Sequence, residues 1–134
     1  MSERKYLPSL SQLIDTLSIL QLKEVFLPEH RELYAKEIKD IVHDISLLLS
    51  QKEVWLNGEA VRAIVVLAQS NLHIWYSEAN VRNGIKEGND LCKSHSINGV
   101  RSRARNKIEA FAEGRIDLKT DCLASEYSQF EPSW

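Results

Sequence analysis

The sequence predicts an all-α fold, a bundle of four to five mostly antiparallel helices. Three observations carry that expectation. Apolar residues recur at three- and four-residue spacing through most of the chain. Five Gly and three Pro in 134 residues leave little room for the frequent turns of an all-β protein. The connections between the periodic stretches are short, which favours antiparallel neighbours. A chain of 134 residues fits one domain. Its folded core is expected over about residues 8–114, with arms at 1–7 and 115–134.

The first helix opens at Pro8-Ser9, where Ser9 and Gln12 have capping-box spacing. It should end near Phe26, because Pro28 disfavours helical geometry at Leu27. Leu10, Leu13, Ile14, Leu17 and Leu20 form one stripe, with Gln21 and Glu24 on its continuation. Asp15, Ile19, Leu22 and Phe26 form a second stripe on the opposite side. A helix apolar on two faces is central in its bundle or shared with a second subunit.

The second helix begins near Pro28-Glu29, with proline and acid both suited to a first turn, and runs to about Leu49. Tyr34, Ile38, Ile41, Val42, Ile45, Leu48 and Leu49 make its apolar face. Glu37, Asp40 and Asp44 line one edge, and His43 points away. In the connection over residues 50–57, Trp55 and Leu56 are expected to pin the chain to the core.

The third helix follows Asn57 and is the most apolar segment. From Ala60 to Ala68 only Arg62 is polar, and a helix apolar nearly all round is expected to be buried. Its core stripe is Ala60, Val61, Ile64, Leu67, Ala68, Asn71, Trp75 and Glu78; His73 projects to the other side with Arg62 and Gln69. A polar connection over residues 80–89 leads to a fourth helical region from about Asp90, which Asn98-Gly99 is expected to kink or break. Ile97, Arg101, Ala104, Ile108 and Phe111 follow at helical spacing, and Gly114 is a stop signal. The aromatics Tyr127, Phe130 and Trp134 of the final tail are candidates to dock on the body or on a partner.

The composition, 43% hydrophobic and 27% charged, is that of a soluble globular chain. A net charge of −2 supplies no global field toward nucleic acid or an acidic membrane. Cys92 and Cys122 are far apart in sequence and form no CxxC, so they read as free thiols of a reducing compartment, with one disulfide as the alternative. No apolar run reaches the ~18 residues that span a bilayer, and Met1–Lys5 leads into no signal-type block. The cytoplasm is the expected location. No internal repeat or low-complexity tract interrupts the chain.

Four polar residues stand where hydrophobes are expected: Glu24, Asn71, Glu78 and Arg101. Each is costly to bury alone, so each needs a partner, and Arg101 with Glu78 is the expected ion pair. The favoured reading is that they satisfy one another or lie where the bundle opens to water. In the alternative they make the candidate ligand-binding set, a polar pocket at one end of the bundle with Glu37 and Asp44 at its rim, suited to a small anionic ligand.

Metal-site patterns are weaker. Glu37/Asp40 and Glu87/Asp90 have the Glu-x-x-Asp spacing that puts two oxygens on one helix face. All-α pyrophosphatases of the MazG type pair a Glu-x-x-Glu with such a motif; here the first half is altered and Glu87 lies in the glycine-bearing connection. Charged surface is the better reading. His43-Asp44 echoes helical phosphohydrolases of the HD type, which need further His and Asp ligands, so it reads as a chance dipeptide. His30, His73 and His95 show no partnered spacing, and no helix carries a Glu-x-x-His pattern. Residues 101–107 hold four basic side chains in seven without interleaved aromatics, the pattern of a solvated flank. No phosphate loop, nucleophile elbow or zinc spacing is present, and no catalytic or metal-binding residue or cofactor is assigned.

The favoured expectation is a self-associating helical binding or accessory module, a homo-oligomer formed through Ile19, Leu22 and Phe26. Neither membrane nor nucleic acid is an expected partner. The alternative is a metal-dependent hydrolase acting on nucleotides.

Overall fold

The computed structural model describes the backbone of residues 7–82, 88–112 and 132–134, and the side chains of residues 7–77, 96–112 and 132–134. It is an all-α bundle. The described elements are α1 (Leu10–Phe26), a single 3₁₀ turn (Pro28–His30), α2 (Arg31–Gln51), α3 (Gly58–Arg82) and α4 (Gly88–Phe111). No helix of the described residues is long and apolar enough to cross a membrane.

The boundaries follow local chemistry. Ser9 and Gln12 form the full capping box: Gln12 N donates to Ser9 Oγ, and Ser9 N donates to Gln12 Oε1 at 2.8 Å. Asn57 caps α3 by accepting from Ala60 N at 2.9 Å. At the end of α2, Glu53 N donates to Ser50 O and Val54 N donates to Leu49 O, the paired bonds of a Schellman motif. Glu53 takes the left-handed position at φ 51°, which glycine usually fills. That motif folds Val54 back beside Leu49 against the core and sends the next residue outward. Trp55 is therefore 89% exposed and Leu56 is exposed as well. The expected pinning of this connection falls to Val54 instead.

Helices α1, α3 and α4 enclose the core, built from Leu10, Ile14, Ala63, Leu67, Ala104, Ile108 and Ala112. Alanines at three of these positions suit the close approach of α3 and α4, the most extensive helix pair. Helix α4 runs unbroken through Asn98-Gly99. Ser96 and Val100 are buried on either side of that pair. Their packing outweighs the roughly 1 kcal/mol cost of a helical glycine. Helix α2 packs on α1 alone among the helices, and Leu48 is its one buried residue. The rest of its apolar face is half-buried or exposed.

The expectation that α3 is buried all round is corrected. Ala60, Ala63, Leu67, Ser70 and Asn71 are buried, but Val61, Val65, Ala68 and Tyr76 are exposed and Leu72 is half-buried. The helix is apolar on both faces, and the bundle covers only one.

The arm at the C-terminal end of the sequence docks in its last residues. Trp134 packs against the core cluster. Its ring lies 4.7 Å from Lys107 Nζ and 5.7 Å from the Arg62 guanidinium carbon. Arg62 also donates to Ser133 Oγ at 3.0 Å. Tyr127 and Phe130, and the Gly114 stop, lie outside the described residues.

Candidate functional site

Two features stand apart from ordinary core and surface. The first is a polar seam through the bundle. Asp15, set on the outward stripe by its spacing, is buried: its side chain is 8% exposed. The reason is the central place of α1, which faces α3 and α4 at once. Five of the six residues from Leu10 to Asp15 are buried.

Asp15 organises the seam. Arg101 grips it with a two-pronged fork: Nε donates to Oδ1 at 3.2 Å and Nη2 to Oδ2 at 2.5 Å. Arg101 Nη1 donates to Asn98 Oδ1 at 3.1 Å. Arg105 Nε stands 3.7 Å from Asp15 Oδ2. Asn71 of α3 donates from Nδ2 to Asp15 Oδ1 at 2.7 Å and approaches Ser18 Oγ, which itself donates to Asp15 O. One carboxylate thus joins three helices.

The seam continues at Glu109, which is 2% exposed. Its Oε1 accepts from Ser11 N at 2.8 Å. Ser11 N is in the first turn of α1, where amides have no intrahelical partner and the dipole favours negative charge. A buried carboxylate from α4 therefore completes the start of α1. Its Oε2 has no hydrogen-bond partner among the described residues.

Of the sequence-derived set, Asn71 and Arg101 meet at Asp15. Glu24 is half-buried and accepts from Gln21 Nε2 at 2.9 Å. It lies nine residues beyond Asp15, roughly 13 Å along the helix. The Glu78 side chain, the expected partner of Arg101, lies outside the described residues. Asp15 and Glu109 were absent from that set. The signal for them is a matched pair of stripes: Ser11, Asp15 and Ser18 on one helix, and Asn98, Arg101, Arg105 and Glu109 on another.

The second feature is an open apolar face. Leu22, Val25 and Phe26 of α1 and Ala68 and Leu72 of α3 line a groove of about 300 Å³, with Ser18, Gln21 and Gln69 at its margin. Phe26 meets Tyr76 edge-on at 5.7 Å, joining the two helices at one end. Val61 and Val65 extend the face along α3. The order Val61, Val65, Ala68, Leu72 has the 4-3-4 spacing of a coiled-coil seam.

Among the described residues, no group of three or more His, Cys, Asp or Glu side chains gathers as a metal site. Glu37, Asp40, His43 and Asp44 are all exposed on α2. Glu87 and Asp90 lie outside the described side chains. Comparison with family models, curated proteins and solved structures finds no match to this chain.

Proposed function

We propose that this protein is a non-catalytic helical module that pairs with a second copy of itself through the open face of α1 and α3. One observation carries the reading: the 4-3-4 apolar seam of α3 lies on the outside of the bundle, beside an apolar groove. Contiguous exposed apolar surface marks a covered face in the working assembly.

A second copy suits this face for two reasons. No lining residue of the groove is charged, so two identical faces meet without repulsion. The face also carries both halves of a fit. Val61 and Val65 form a ridge, and Ala68, the smallest lining residue, opens the groove one turn on. A two-fold axis near Ala68 sets the ridge of each copy over the groove of the other. Ile19 and Leu22, half-buried in the single chain, and the exposed Phe26 then belong to the contact.

Sedimentation or light scattering at tens of micromolar tests the reading. A dimer mass is expected. Val65 is 46% exposed and stands outside the core cluster. Val65→Glu should therefore give a folded monomer. A wild-type monomer mass across that range would remove the proposal.

In the same reading the Asp15 seam acts as a clamp that sets how α1 and α3 stand side by side. Arg101 directs Nε and Nη2 to Asp15 and Nη1 to Asn98. An incoming anion would have to compete with a nearly buried carboxylate for that fork.

A further inference from the structure

We propose that Arg62 and Lys107 form an acceptor site for a tryptophan-bearing peptide segment, filled in cis by this chain's own Pro132-Ser133-Trp134. The inference does not rest on self-association. Trp134 reaches α3 and α4, whereas the open groove lies between α1 and α3.

The site has three parts. Its floor is the core cluster where α3 meets α4, against which the ring packs. Its walls are two cations from different helices, Arg62 of α3 and Lys107 of α4, both within cation–π reach of the same ring. Its latch is the hydrogen bond from Arg62 Nη2 to Ser133 Oγ, which holds the residue next to the ring. Arg62 and Lys107 are otherwise exposed side chains. Both cations stand over one ring, and the electron-rich face of an indole attracts each of them. An aromatic ring is thus the natural occupant, and tryptophan gives the strongest such contact.

Occupation in cis is intramolecular and is favoured by the high effective concentration of a tethered ligand. The site is therefore closed to other segments while the arm is docked, and opens when the arm leaves.

The test uses the full chain carrying Trp134→Ala and a synthetic peptide of residues 126–134. Amide shifts of Arg62, Lys107 and Ile108 are followed by NMR. Saturable shifts at millimolar peptide are expected for the Trp134→Ala chain. The wild-type chain should bind at least about tenfold more weakly, since its own arm competes. A peptide with Ala in place of Trp should not bind. Adding Arg62→Met and Lys107→Met should weaken peptide binding by about tenfold. No saturable shift in a folded Trp134→Ala chain, or equal affinity in both chains, would overturn the proposal. If Trp134→Ala does not fold, the chain with Trp55→Phe and Trp75→Phe leaves Trp134 as sole reporter. There Arg62→Met with Lys107→Met should raise acrylamide quenching of Trp134, and unchanged quenching would overturn the clamp.

Discussion

Asp15 is the residue on which three helices depend, and its removal should show it. Asp15→Ala leaves two guanidinium groups and the Asn71 amide facing an apolar gap. Breaking a buried pair costs about 3–5 kcal/mol, and Arg101, 22% exposed, puts the expected loss near the lower end. Arg101→Met should also destabilise. A double-mutant cycle by urea unfolding should return a coupling of about 1–3 kcal/mol. Coupling indistinguishable from zero would mean that water, not Asp15, satisfies Arg101. The sequence marks Arg101 and Asn71 as misfits in need of partners, because polar residues on an apolar stripe are conspicuous. It does not mark Asp15 in the same way. Neighbouring residues on a helix differ by only 100°, and the buried arc of α1 is wider than one stripe because α2, α3 and α4 all pack on it. Glu109 is hidden for a related reason: its role is to meet the first turn of another helix, which no periodicity along α4 encodes.

At the scale of elements, ends were more legible than faces. The Ser9 box, the Asn57 cap and the stop before Pro28 are local chemistry, so the sequence reads them correctly. The end of α2 is local as well but breaks the usual rule, with Glu53 where glycine is expected. A left-handed L-residue costs roughly 1–2 kcal/mol. Glu53→Gly should therefore raise stability by about 0.5–1 kcal/mol after the greater chain entropy of glycine is discounted. Thermal or urea unfolding measures it, and a loss of stability would show that the Glu53 side chain holds the connection by itself. Faces depend on what packs where, and α3 illustrates the difficulty. Its two apolar faces look alike in sequence, although one meets α1 and α4 and the other meets solvent. The C-terminal residues were open in the same way: an aromatic tail is plain to read, while the seat of Trp134 beside Arg62 and Lys107 exists only once α3 and α4 lie together.

At the scale of the whole molecule, the fold class was legible because helical period and scarce turn residues are properties of the entire chain. The open α1–α3 face was legible only as a surplus: more apolar stripe than the bundle covers. The open face then makes a thermodynamic demand on the molecule. If two copies bury it, the folded dimer is linked to protein concentration by mass action. Wild-type unfolding should shift to higher temperature as concentration rises from about 1 to 100 μM, by an amount set by the number of copies released on unfolding. Val65→Glu should unfold at a temperature independent of concentration, because its folded state is already a monomer. Leu67→Ala, on the inner face of the same helix, should behave differently. It empties a fully buried position and costs about 2–5 kcal/mol, yet keeps the concentration dependence, since the outer seam is intact. Calorimetry of the three proteins across that range separates the two faces of α3. A wild-type transition that stays fixed with concentration would mean that the α1–α3 face remains open to water in solution.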